Sequence, residues 1–170
     1  MSEAWSKLRD IDLAADGRVR VEFSIPFDEL PRVRPQLRRG EGCVTGEVRF
    51  GREQGRAIAE VEIAARAVLT CQRCLAPLEW PIASRGRVAL VADAAEADRV
   101  PAELETAHAA DRRVSVRDLV EEELLLALPI APLHEEGGCG AAWKAQGADR
   151  STAGEKRHRP FERLDELLKR

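Results

Sequence analysis

Cys71 and Cys74, in the stretch "LTCQRCLAPLEW", are the residues whose spacing most directly suggests chemistry. Two thiolates three positions apart can chelate one ion, because a tight turn points both sulfurs inward while freed backbone N–H groups donate to them. A redox pair would need C-x-x-C at the start of a helix, where the dipole lowers the thiol pKa. Here Pro77 and Pro81 follow and strand-like sequence flanks the pair, which disfavours that chemistry. The nearest candidates for a second half-site lie in "PLHEEGGCG", where His134 and Cys139 are five apart and Gly137, Gly138 and Gly140 let the backbone wrap closely. Together they would make a closed site of three cysteines and one histidine, with no position left for water and therefore a structural role. Its net charge of −1 around a dication could be offset by Arg73. Compact zinc fingers separate their ligand pairs by about a dozen residues, whereas Cys74 and His134 are 60 apart. On the residues alone, one structural zinc and two small packed thiols both stay open. Cys43 has no partner pattern and reads as a small core or edge residue.

These residues need a scaffold. A chain of 170 residues suits one domain. No apolar run approaches the roughly 20 residues needed to cross a bilayer, and "MSEAWSKLRDIDLAADGR" carries charges where a signal peptide needs an apolar stretch. The expected location is cytoplasmic, without membrane contact. Four cysteines are too few for a secreted disulfide scaffold.

Charge is unevenly placed. The net value is −3, yet residues 88–136 hold 12 acidic against 4 basic residues and the rest holds 18 against 23, so the surface is expected to be bipolar. The densest basic clusters are "PRVRPQLRRG", with Arg32, Arg34, Arg38 and Arg39, and "EKRHRP", with Lys156, Arg157 and Arg159. Each is either a solvated loop or a phosphate-contacting surface. Base-stacking platforms are not expected, since the chain has no tyrosine, three tryptophans and four phenylalanines.

The first half reads as strands. Val19, Val21 and Phe23 alternate with charged neighbours, as do Val44, Gly46, Val48 and Phe50. After the turn "GREQG", Val61, Ile63, Ala65, Ala67 and Leu69 share a face, which is a hairpin signal. Residues 26–42 break the pattern with three prolines and predict a turn or short helix. A third run, "IASRGRVALVAD", follows Pro81, so the cysteine pair falls at a turn between antiparallel strands. The alanine-rich acidic stretch 93–111 reads as an exposed excursion with partial helix at best. "SVRDLVEEELLLALP" is the clearest helix, with Ser115 and Asp118 as a capping box, an i, i+3, i+4 apolar stripe and Pro129 as its stop. Its acidic triplet Glu121 to Glu123 reads as a solvated face. The expected fold is α+β: an antiparallel twisted or barrel-like sheet covered by one main amphipathic helix, in a single domain over 1–139, with a flexible C-terminal tail over 140–170.

With these blocks in view, the chain resembles the YceD family of bacteria, the large ribosomal RNA subunit accumulation proteins. The resemblance rests on "CQRCLAPLEWPI" after a strand, on "LVEEELLLALPIAPLH" with Cys139 five residues past His134, and on the near-terminal "RPFERLDELLKR". It covers most of the chain from about residue 44, and the order and separation of the blocks make it specific. It implies a role in the synthesis, processing or stability of 23S ribosomal RNA, hence in large-subunit biogenesis, with no established enzymatic activity. Relatives from other lineages carry additional cysteine pairs beyond the helix block, which favours a metal; this chain departs from them in having His134 and Cys139 there.

Two functions from different classes follow. One is a non-catalytic factor that binds ribosomal RNA or large-subunit assembly intermediates through its arginines, while the acidic helix face meets a basic ribosomal protein. The alternative is a zinc-stabilised protein–protein adaptor without direct RNA contact. An enzyme is not expected: the chain carries no phosphate-binding glycine loop, no H-E-x-x-H and no nucleophile signature. The sequence leaves the oligomeric state open.

Overall fold

A computed structural model describes residues 4–135 and 137–139. Its frame is a five-stranded sheet. Strands β2 (Arg20–Pro26), β3 (Cys43–Glu53), β4 (Arg56–Thr70) and β5 (Pro77–Val91) form an antiparallel meander, and β6 (Glu105–His108) adds in parallel to the end of β5. The order β2-β3-β4-β5-β6 leaves two edges, so the sheet is open and the barrel alternative is corrected. Closure would require β6 to meet β2, and a four-residue strand paired with Val88–Val91 does not reach it.

Period-two patterning explains which face is covered. Val21, Phe23 and Ile25 of β2, Val44, Val48 and Phe50 of β3, and Val61, Ile63, Ala67 and Leu69 of β4 are all buried. Their neighbours Glu22, Glu47, Glu60 and Glu62 take the other face with Arg20, Arg49, Arg85 and Arg87, and the two signs interlock as cross-strand ion pairs such as Arg20–Glu47 and Arg85–Glu60. Gly46 sits in the covered face between Phe23 of β2 and Ile63 of β4. The Phe23 ring and the Glu62 carbonyl occupy the space a side chain there would need.

Over the covered face lie the helix α1 (Ile11–Asp16), the turns of residues 27–37 and the helix α3 (Val116–Ala127). α1, which sequence patterning does not announce, starts where the Asp10 carboxylate accepts from the N–H groups of Asp12 and Leu13. β1 (Arg9–Asp10) pairs with β7 (Arg113–Val114) and ties the N-terminal segment beside α3. α3 begins as expected, with the Ser115 hydroxyl accepting from the Asp118 N–H, and Leu119, Val120 and Leu124 enter the core. Full burial of a leucine such as Leu124 is worth about 1.5–3 kcal/mol. The stretch 93–111 is more ordered than expected. It holds the short helix α2 (Ala94–Ala97), capped by Asp93, and then β6.

The acidic triplet of α3 corrects the solvated-face expectation. Only Glu122 is exposed; Glu121 and Glu123 are buried. Glu121 Oε1 accepts the backbone N–H groups of Arg32 at 2.6 Å and Val33 at 3.2 Å, so a carboxylate pins the proline-rich loop to the helix. Glu123 Oε1 accepts the Ser84 hydroxyl at 2.5 Å, and its other oxygen fills the place of a side chain at Gly86. Replacing Glu121 by alanine strands two backbone donors, each buried donor left unmade costing about 1–3 kcal/mol. Urea unfolding should therefore show a loss of about 2–3 kcal/mol for Glu121→Ala and a much smaller one for Glu121→Gln, which keeps an acceptor oxygen. Equal losses in the two variants would mean that these bonds do not matter.

Candidate metal centre

The turn between β4 and β5 is closed by two backbone bonds, Cys71 N–H to the Ala76 carbonyl (3.0 Å) and Leu75 N–H to the Cys71 carbonyl (2.9 Å). Leu75 adopts the left-handed region at φ 60°. This geometry turns both sulfurs of the C-x-x-C pair to one side. Beyond α3 the chain comes back to the same turn: the Gln72 N–H donates to the Pro132 carbonyl at 2.8 Å, which delivers His134 and Cys139. Gly137 takes φ 82°, which permits the tight wrap between them.

Four ligand atoms thereby converge. Cys71, Cys74, His134 and Cys139 place them all within 4.8 Å of one another. The Cys71 and Cys139 sulfurs are 4.0 Å apart, and His134 Nδ1 lies 3.4 Å from the Cys74 sulfur and 3.9 Å from that of Cys139. Cys71 and Cys139 are buried, and the other two are half-buried. His134 Nε2 lies 3.1 Å from the Pro77 carbonyl. Its N–H donates there, which leaves the Nδ1 lone pair aimed at the sulfurs, the tautomer a ligand needs.

The electrostatics divide the cysteines. Burial alone would raise the Cys71 pKa, but the backbone N–H groups of Cys74, His134 and Arg73 and the Cys74 thiol outweigh it and bring the group down to about 5. Cys139 moves up, through burial first and then through the neighbouring thiols of Cys74 and Cys71. The Arg73 guanidinium stands 4.0 Å from the Cys139 sulfur, a cation beside the thiol that burial makes harder to ionise. This arrangement could hold a metal ion with four protein ligands and no open position. The remaining cysteine, Cys43, is exposed at the start of β3.

The basic loop is tied to this knuckle. Arg38 donates its backbone N–H to the Val68 carbonyl at 2.8 Å and its guanidinium to the Leu75 carbonyl at 2.5 Å. Arg32 pairs with Glu122 at 2.5 Å and Arg34 with Asp28 at 3.0 Å. Arg39 is exposed and has no ion pair among the described residues. Lys156, Arg157 and Arg159 lie outside the described residues, as does the C-terminal stretch from 140. No helix among the described residues is long and apolar enough to cross a membrane.

An α+β protein thus emerges in which a cysteine–histidine clasp fastens the chain beyond its one long helix to the tip of an antiparallel meander. The chain belongs to the YceD family, described as large ribosomal RNA subunit accumulation protein YceD, whose model matches residues 59–168, well over half the chain. That match takes in all four clustered ligands and the whole of α3. No curated protein and no solved structure matches the chain.

Proposed function

We propose that this protein is a non-catalytic factor for the synthesis, processing or stability of 23S ribosomal RNA, that it carries one structural zinc, and that its basic loop contacts RNA phosphate. The family description supports the first part. Zinc is favoured by the donor set: two thiolates at about 2.3 Å from a tetrahedral centre stand about 3.8 Å apart, close to the 4.0 Å between Cys71 and Cys139. Cys71, Cys74, His134 and Cys139 would hold it. A closed set of this kind supplies fold stability rather than an activated water.

The observation that carries the RNA reading is the bond from the Arg38 guanidinium to the Leu75 carbonyl inside the knuckle. Through it the knuckle fixes the position of the loop that presents Arg32, Arg34, Arg38 and Arg39, and Lys156, Arg157 and Arg159 would be the second basic contribution. Arg32 and Arg34 are already engaged with carboxylates, which sets their orientation, while Arg39 is left for a phosphate. Exposed on α3, Glu122 shares its charge with Arg32. The helix therefore offers far less negative surface than a run of three glutamates promises, which argues against a basic ribosomal protein docking there.

Recovery from a lysate with and without nuclease tests this reading. Large-subunit ribosomal RNA should accompany the protein and vanish after nuclease. In titrations, affinity should fall steeply with salt, the log-log slope approaching the number of phosphates contacted, and Arg38→Glu/Arg39→Glu should flatten that slope by about two. Capture of a protein partner that survives nuclease, with no salt-dependent RNA binding, would favour the adaptor alternative instead.

A further inference from the structure

At the other end of β4 from the knuckle, the structure places a second basic feature that no stretch of sequence displays. A cleft of about 250 Å³ opens between the N-terminal turn of α1, the β3–β4 turn, the end of β5 and the chain after α2. Its charged lining is Arg52, Arg56, Arg99 and Arg112 with Asp12 and Glu96. Four guanidinium groups against these two carboxylates and Asp16, which pairs with Arg52, leave an excess of one positive charge, and Ala57, Leu90 and Val100 give the wall an apolar part that weakens solvent screening.

The two carboxylates are already engaged. Asp12 accepts from Arg52 at 3.1 Å and from Arg112 at 2.7 Å, and these cations hold its carboxyl below the usual range, Arg112 most strongly. Glu96 accepts the Ala92 N–H at 2.8 Å and the Arg112 guanidinium at 2.9 Å. Arg52 is further held by Asp16 at the rim. Arg56 has a different environment. Its guanidinium meets only neutral oxygens, the Gln54 side chain at 3.3 Å and the Arg99 carbonyl at 3.0 Å. The Arg99 side chain is exposed and has no ion pair or hydrogen bond among the described residues. Arg56 and Arg99 are therefore two cations at the mouth of one cleft, joined through the Arg99 backbone, and neither is in an ion pair among the described residues, although Glu53 and Glu103 line the neighbouring cleft that Arg56 also borders.

We infer that this cleft binds a phosphate group, with Arg56 and Arg99 as its ligands and the Arg52–Asp12–Arg112–Glu96 chain of ion pairs as the rigid wall behind them. Guanidinium forks match the oxygens of a phosphate in pairs and hold charge at every physiological pH. The volume admits a phosphate and the sugar attached to it, not a folded helix, so the ligand is one nucleotide of a single strand or a free phosphate compound. The inference rests on the proposed RNA contact for its biological ligand, and it adds a second contact one full strand length from the Arg38 loop. A strand of RNA lying along the sheet would meet both.

Calorimetric titration of the full chain with sodium pyrophosphate at low salt tests the cleft without reference to RNA. Saturable binding is expected, weakened at least tenfold in Arg56→Gln/Arg99→Gln and unchanged in Arg38→Gln/Arg39→Gln. Unchanged thermal midpoints in all three proteins would certify that the substitutions act locally. No saturable binding by the unaltered chain, equal binding by the cleft variant, or tighter binding of a poly-glutamate peptide than of pyrophosphate would overturn the inference. A single-stranded oligoribonucleotide of large-subunit sequence forms the second arm. If it too loses affinity in the cleft variant, the phosphate belongs to RNA; if only pyrophosphate does, the cleft serves a free phosphate compound. RNA binding that is strong while pyrophosphate binding is absent or indifferent to Arg56 and Arg99 sinks the cleft and leaves the proposed function standing.

Discussion

Changing Cys71 to serine should take the protein from one bound zinc per chain to a small fraction of that and lower its thermal midpoint by about 8–16 °C. A ligand present at 1,000 times its Kd stabilises the folded state by about 4 kcal/mol, and about 1 kcal/mol moves the midpoint of a chain this size by about 2–4 °C. Cys71 is the ligand of choice because it is fully buried at the root of the knuckle and its thiolate is the one the backbone stabilises. Elemental analysis of gently purified protein and a melting curve with and without chelator are the measurements. Chelation should imitate the substitution in the unaltered chain and do nothing further to the variant. The pH dependence has a definite sign. A thiol depressed from 9.0 to about 5 in the folded state contributes stability that is full above its unfolded value and is lost as pH falls through about 5. Zinc retention should accordingly hold at neutral pH and weaken on approach to pH 5, as protons compete for the same sulfur. Purified protein that is free of metal at pH 7.5 and melts at the same temperature with and without added zinc would remove the structural role.

Gly46→Ala is expected to cost about 3 kcal/mol or more and to abolish accumulation of folded protein at elevated temperature. A methyl group at this position falls inside van der Waals contact of the Glu62 carbonyl and against the Phe23 ring. The carbonyl belongs to β4 and cannot swing aside without opening the β3–β4 ladder, so relief comes only by moving a strand. Gly51→Ala in the same strand supplies the control: nothing lies within 4 Å of its added methyl, and its effect should stay within about 0.5 kcal/mol. Urea midpoints decide the matter. Similar stability of the two variants would show that the sheet flexes at Gly46 and that β3 and β4 are less closely seated than their register implies.

How much of this could be read from the residues differs by element. The strands over Val44–Phe50 and Val61–Leu69 were legible because one covered face imposes a period of two, and α3 because Ser115 and Pro129 punctuate a helical stripe. The half-site at Cys71 and Cys74 was legible for the same local reason. β6 was not: "ETAH" has no apolar alternation, and its order comes from a parallel neighbour 17 residues back. Burial of Glu121 and Glu123 was hidden as well, since partners 89 and 39 residues away decide it. One signal was available in Gly86, a glycine inside a strand run, which marks close approach by another group. The arginines of the phosphate cleft are spread from Arg52 to Arg112 and converge only through the turn of one hairpin and the end of another strand. Density along the chain pointed to "RVRPQLRR", where most of the guanidinium groups are occupied by the protein itself.

The separation of the two ligand pairs also bears on when the clasp can close. The meander of β2 to β5 pairs neighbours in sequence and can form early, since local contacts demand little loop-closure entropy. His134 and Cys139 arrive only after α3 has packed and the chain has returned to Gln72. A chain still being synthesised holds Cys71 and Cys74 alone, a two-thiolate half-site of low affinity, until its last quarter has emerged. On the proposed zinc reading, metal capture would be a late event that records completed assembly of sheet and helix, and a chain truncated before residue 134 would carry an exposed, oxidisable thiol pair in place of a clasp.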